Sequence, residues 1–185
     1  SLSEMSMLGN ERASFQLAYF SDEDTHCGIS VSGWKPENMK IYKVVEINSD
    51  MPAYEDSDFY FLRKAPGPYP DMLEPVEDGT FLVEKGHYGS MWIELDASGE
   101  SAGKHDLFVT VSKGKETVTN VITVDVIPAK LPAQELMCTM WFHCDCLATY
   151  YKVDVFSEEH WRIIENYVKN AAAHGINFIL TPLFT

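Results

Sequence analysis

Basic residues are scarce in this chain of 185 residues: 14 Lys plus Arg stand against 28 Asp plus Glu, for a formal net charge of −14. A surface this negative repels phosphate backbones and anionic headgroups, which argues against nucleic acid, a membrane surface or a polyanionic substrate as the main partner. Long apolar runs are missing as well, since no stretch approaches the roughly 18–20 residues of a membrane span. The opening Ser1-Leu2-Ser3-Glu4 has neither a basic start nor an apolar core, so no signal peptide is expected and the location leans to the cytoplasm. Cysteines number only 4, too few and too clustered for a secreted disulfide framework. Apolar residues are not lacking. At 45% hydrophobic and 12% aromatic, the chain can bury a sizeable core, which excludes wholesale disorder.

Cys138, Cys144 and Cys146 lie close to His143 and Asp145 and invite a zinc reading. Structural zinc asks for paired Cys-x2–4-Cys or His-x3–5-His spacings, and no second pair is present. Read as a strand, the segment puts Cys144 and Cys146 on one face and His143 and Asp145 on the other. The thiols then behave as small buried hydrophobes, and neither metal nor cofactor is expected.

Two unlike patterns divide the chain. Residues 1–130 read as an antiparallel, Ig-like β-sandwich of about seven or eight strands. Phe15, Leu17 and Tyr19 alternate on one face, as do Cys27, Ile29 and Val31, then Ile41, Val45 and Ile47, then Met91, Ile93 and Leu95. Residues 107–112 and 117–127 make a hairpin turned at Lys113-Gly114-Lys115-Glu116. Between Ser49 and Gly86 this grammar lapses, with five prolines among Tyr54, Phe59, Tyr60, Phe61 and Tyr69. Such a segment suggests packing against a neighbour or cover for a sheet edge. No helical period is expected before residue 155.

Pro128-Ala129-Lys130-Leu131-Pro132 reads as a short stiff linker. Residues 133–185 follow a different plan. The run from Leu136 to Phe142 suits a strand buried on both faces. A helix over 157–174 has Ser157 as N-cap, Phe156 and Trp161 as a hydrophobic staple, and Gly175 as its stop. Trp161, Ile164, Val168 and Ala171 or Ala172 form its apolar stripe, and Glu158 and Glu159 suit the positive helix start. Residues 176–181 supply a second buried strand. This βαβ unit predicts parallel pairing and leaves faces and edges that further β-α repeats, the rest of its own barrel, or a second copy would cover across residues 136–185.

Several of these segments resemble a known family. The runs 141–151, 155–161 and 174–185 look like the opening of the barrel in bacterial glycoside-hydrolase-like proteins, the domain of unknown function family 4091, which is related to glycoside hydrolase family 123. Asn10-Glu11-Arg12-Ala13-Ser14-Phe15-Gln16-Leu17, Tyr69-Pro70-Asp71-Met72-Leu73 and Trp92-Ile93-Glu94-Leu95 resemble motifs of the family's N-terminal sandwich. The resemblance implies a sandwich followed by the start of a truncated (β/α)8 barrel that acts on glycans, possibly carrying N-acetylhexosamine. Its adjacent Asp-Glu catalytic pair would lie on a later strand, past Thr185, so the chain by itself supplies no catalytic acids and is expected to be inactive.

Barrel enzymes place their sites at the C-terminal ends of the strands. The substrate-binding candidates are therefore His143 and Asp145, with Trp141 close by, and Thr181 after the second strand. Asp145 suits sugar hydroxyls, His143 can orient it, and Trp141 can stack on a pyranose face. The alternative class is a non-catalytic carbohydrate- or protein-binding sandwich, for which Trp34, Tyr54, Tyr60 and Tyr69 are the aromatics. A third class is an assembly domain that pairs through the βαβ edge.

Overall fold

The computed structural model describes residues 2–50 and 65–182. The chain forms two compact units, Ser1–Leu131 and Pro132–Thr185.

In the first unit, period-2 alternation gives nine strands among the described residues: β1 (Glu4–Leu8), β2 (Arg12–Phe20), β3 (Thr25–Ser32), β4 (Met39–Ser49), β5 (Gly67–Pro75), β6 (Thr80–Val83), β7 (Tyr88–Asp96), β8 (Gly103–Lys113) and β9 (Glu116–Ile127). They form two sheets, ordered β1-β9-β8-β3-β6 and β2-β7-β4-β5. Most of the inward residues predicted from alternation meet between the sheets, but on β4 only Ile41 does: Val45 stays outside the core and Ile47 is exposed, beyond the point where β4 parts from β7. Met91, Ile93 and Leu95 of β7 are fully buried against Leu107, Val109, Val124 and Val126. Each such side chain contributes about 1.5–3 kcal/mol over its exposed state. The β8–β9 hairpin turns through Gly114 at φ +61, between the paired Lys113 and Glu116, as a II′ turn requires.

The segment Asn10-Glu11-Arg12 ties this unit together. The Asn10 amide donates to the Leu131 carbonyl at 3.0 Å and accepts from the Leu131 N–H at 2.7 Å. Glu11 accepts from the Leu8 N–H at 2.8 Å, closing the β1–β2 turn. Arg12 pairs with Asp96 at 3.0 Å across β2 and β7.

Three expectations about this unit need correction or addition. The lapse over Ser49–Gly86 is not structureless, because it contains β5 and β6; Tyr54, Phe59, Tyr60 and Phe61 lie outside the described residues. Prolines hid β5 from the sequence pattern. Pro68, Pro70 and Pro75 are tolerated there because β5 is an edge strand, where a missing N–H breaks no inner ladder. Trp34 is core rather than a surface aromatic, 6% exposed with its indole N–H donating to the Asp96 carbonyl at 3.2 Å. Finally, β1 pairs parallel with β9, so the sandwich is not wholly antiparallel.

The second unit contains β10 (Thr139–Trp141), α1 (Cys144–Tyr151), α2 (Glu158–Ala173) and β11 (Phe178–Leu180). Strands β10 and β11 pair in parallel, with Trp141 opposite Leu180. The fold is thus a mainly β chain in which a sandwich precedes a β-α-β arrangement of the barrel type. Helix α2 is built as its sequence predicts. Ser157 Oγ accepts from the His160 N–H at 3.2 Å, Phe156 and Trp161 stack at 5.4 Å, and Gly175 stops the helix at φ +87.

Here too the structure departs from the pattern. Helix α1 was not expected, and it removes the strand geometry proposed for Cys144 and Cys146. At eight residues it is too short to show a period, and Lys152 closes it in the left-handed conformation at φ 57. The two strands are three residues each rather than six or seven, and they are exposed rather than buried. Met140, Trp141, Phe178 and Leu180 stay 57%, 70%, 55% and 46% accessible. Within the second unit, no described element covers the face of this two-stranded sheet that carries Trp141, Phe178 and Leu180. Trp161, expected within the apolar stripe, remains half exposed, while Ile164, Val168 and Ala171 are half buried.

Candidate functional site

The site is built at the C-terminal end of β10. Trp141 is its last residue and His143 is the N-cap of α1, so two residues of chain carry both side chains to the same end. Their rings stack, with centroids 6.0 Å apart and planes 15° apart. Both are exposed, so the pair presents a flat aromatic surface with an imidazole edge. No side chain caps α1 at His143, and its carbonyl accepts from the Cys146 N–H at 3.2 Å.

Asp145 lies in the first turn of α1, where a carboxylate complements the helix dipole. Its Oδ1 is buried and has no hydrogen-bond partner among the described residues. A buried carboxylate oxygen without a donor is costly, by about 1–3 kcal/mol or more, and such an atom asks for a partner.

Thr181 is separated from that surface. It follows β11 and lines a cavity of about 300 Å³ with Phe142, Cys144, Phe156, Trp161, Ile164, Val168, Ile179 and Pro182. Side chains alternate along a strand, so Phe142 and Thr181 fall on the α2 side and Trp141 and Leu180 on the other. The structure therefore brings Trp141 and His143 together, sets Asp145 beside them in the chain, and puts Thr181 under the helix.

One residue that the sequence offered no role is central to the local architecture. The sequence shows no partner for His160, at the start of α2, yet the residue is 0% exposed. Its Nδ1 accepts from the Phe156 N–H at 2.8 Å, and its Nε2 lies 2.7 Å from the Cys144 carbonyl, to which it must donate. The ring is thereby fixed as the Nε2–H tautomer and joins the first turns of α1 and α2. The signal in the sequence was its position three residues after Ser157, from which a capping-box side chain reaches back, although His160 takes the N–H of Phe156 and not that of Ser157. All four cysteines carry free thiols. Among the described residues no group of three His, Cys, Asp or Glu is placed to hold a metal ion, and no helix is long and apolar enough to cross a membrane.

Residues 141–185 match the sequence family described as Glycoside hydrolase 123, catalytic domain. The backbone of the chain is similar to that of a family 123 glycoside hydrolase from Clostridium perfringens, studied for glycolipid glycan hydrolysis. That likeness has a TM-score of 0.79 at 16% identity and covers 96% of this chain and 33% of the other. Residues 141–185 are thus similar in sequence to family 123 glycoside hydrolases, and the remainder of the chain shares the fold of the clostridial structure. The chain spans about a third of the clostridial chain, and the matched residues begin at Trp141, the exposed aromatic of the site. Weaker likenesses reach a PapD-like domain of human CEP192 (TM-score 0.35, 10% identity, 70% of this chain and 84% of that one) and the class 5 fimbriae chaperone CfaA (0.32, 8%, 72% and 57%). These two do not bear on function. No curated protein matches the chain in sequence.

Proposed function

We propose that the chain is the front portion of a glycoside hydrolase, with residues 1–130 as a supporting sandwich and residues 133–185 as the first β-α-β of a (β/α)8 barrel. The observation that carries this reading is the bare face of the parallel pair β10–β11. Trp141, Phe178 and Leu180 are largely exposed there, with no described element of the second unit over them, and further barrel strands would cover them. The catalytic acids then come from later strands, and this portion contributes binding rather than proton transfer. Trp141 stacks on the apolar face of a sugar ring, His143 and Asp145 take its hydroxyls, and Thr181 helps close the layer beneath α2. The glycolipid glycans of the clostridial relative and the family resemblance favour a neutral glycan, with N-acetylhexosamine as the first sugar to try.

The test uses the protein from its natural reading frame. A mass well above 20.9 kDa and hydrolysis of aryl N-acetylhexosaminides are expected. Trp141→Ala should then raise KM by roughly 2- to 12-fold, the equivalent of an aromatic contact of about 0.5–1.5 kcal/mol. A natural product of 20.9 kDa, or kinetics untouched by Trp141→Ala and Asp145→Asn, would overturn the proposal.

A further inference from the structure

A second cleft, in the sandwich unit, is independent of the barrel reading. Strands β4 and β7 pair from Met39↔Leu95 to Lys43↔Met91 and then stop, although β4 runs on to Ser49 and β7 begins at Tyr88. A register shift between Val45 and Glu46, where β5 carries an extra residue at Asp71, accompanies the divergence. Bulges of this kind bend a strand pair and recur beside functional sites. Past Lys43 the facing edge of β4 has no ladder partner among the described residues, and its backbone donors and acceptors border the gap.

The gap is a cleft of about 280 Å³ whose walls include Tyr19, Lys43, Glu46, Glu84, His87 and Tyr88. Its size is at the small end for ligand pockets, room for one sugar ring rather than a chain. Tyr88 is 81% exposed and packs on Phe20, itself 51% exposed, with ring centroids 4.6 Å apart. An exposed aromatic pair gains little for folding where it stands. Among the described residues no hydrogen bond or ion pair engages the side chains of Lys43, Glu46, Glu84 or His87, although they ring one cleft. The floor is also shaped for access. Tyr19 lies across Gly89, where a Cβ would meet its ring at 2.4 Å. Burial, and after it the Glu84 and Cys27 charges, raise the Tyr19 phenol above its ordinary 10.0, so it keeps its proton and can donate.

We infer that this cleft is a saccharide-binding site that takes a single neutral sugar residue, with Tyr88 stacked on the ring and Glu46, Glu84 and Lys43 on its hydroxyls. Carboxylates accept from sugar hydroxyls in charge-assisted bonds, an ammonium donates to ring or hydroxyl oxygens, and the aromatic face covers the C–H side. Two carboxylates against one ammonium, on a chain of net charge −14, discriminate against acidic sugars and phosphates.

The experiment is an amide NMR titration of the 185-residue chain with the methyl glycosides of galactose, glucose, N-acetylgalactosamine and N-acetylglucosamine, and with methyl glucuronide. At least one neutral glycoside should bind with a dissociation constant on the order of 1 mM, the usual range for so few contacts. Its shifts should cluster at Val45, His87 and Gly89, and glucuronide should leave them unmoved. Tyr88→Ala and, separately, Glu84→Gln should weaken binding by about tenfold, the loss of roughly 1.4 kcal/mol each. Both positions are exposed, so folding should be unaffected. Absence of binding by all four neutral glycosides, shifts confined to residues 136–182, or affinity unchanged in both variants would overturn the inference. None of those results would touch the hydrolase reading, which rests on the other unit.

Discussion

Replacing His160 by Phe keeps the volume of a fully buried ring and removes both of its hydrogen bonds. Two backbone groups lose a partner, the Phe156 N–H and one lone pair of the Cys144 carbonyl. They are not equivalent. Phe156 sits at φ 60, outside any helix or strand, and His160 is the acceptor its N–H has. Orphaning it costs about 1–3 kcal/mol. The Cys144 carbonyl is in the first turn of α1 and keeps its place in the helix ladder, so its loss is nearer about 0.5–1.5 kcal/mol. The positive φ at Phe156 holds strain of about 1–2 kcal/mol, which can relax once the histidine bond is gone and so does not add to the cost. Together His160→Phe should destabilise the second unit by about 2–4 kcal/mol. Urea unfolding followed by Trp161 fluorescence reads this directly, and the imidazole nitrogen shifts of the parent should report the Nε2–H tautomer. A loss below about 1 kcal/mol, or an Nδ1–H tautomer, would refute the claim that this ring ties α1 to α2.

Other consequences are smaller in scope. At Gly33, φ is +92 and a Cβ would lie 2.0 Å from the Asp106 carbonyl oxygen, so Gly33→Ala should cost about 3 kcal/mol or more in thermal unfolding. Ser157→Ala removes the cap bond to the His160 N–H and should cost the second unit about 1 kcal/mol by urea midpoint. Burial works against charge on Asp96, but its bonds from Ser98 and Arg12 outweigh this and hold the carboxyl below its ordinary 3.8. A lowered acid stabilises the fold above its unfolded value, and that contribution is lost as pH falls through the folded one. Asp96→Asn should therefore be less stable than the parent at neutral pH, by about 0.5–1.5 kcal/mol after allowance for the partly exposed Arg12. Melts across pH 2 to 7 should show the difference vanish at the acid end; a difference that persists at pH 2 would assign it to packing.

The sandwich was legible where one face of a strand is buried and the other is wet. Residues 12–20, 25–32 and 88–96 alternate because water and core impose opposite demands at successive positions. Strand β5 was not legible, because an edge strand tolerates prolines that would exclude it from a sheet interior. In the second unit α2 was readable from its cap, staple and glycine stop, all local features within a turn of the helix end. The eight-residue α1 spans barely two turns and left too little periodicity to detect. That error carried over to Cys144 and Cys146, whose supposed shared face was that of a strand.

Composition, periodicity and local caps are properties of neighbours along the chain, and they suffice to read off two unlike parts, most strands of the sandwich and the parallel β-α-β order. The remaining features join groups that folding brings together. The stacking of His143 on Trp141 depends on where β10 ends and α1 begins, and Thr181 falls under α2 because the register sets Trp141 opposite Leu180. The burial of His160 depends on a carbonyl sixteen residues away, and the cleft beside Tyr88 on β4 leaving β7 after Lys43. Such features follow from packing and register, in which the partner of each residue is chosen by the fold and not by its position in the chain.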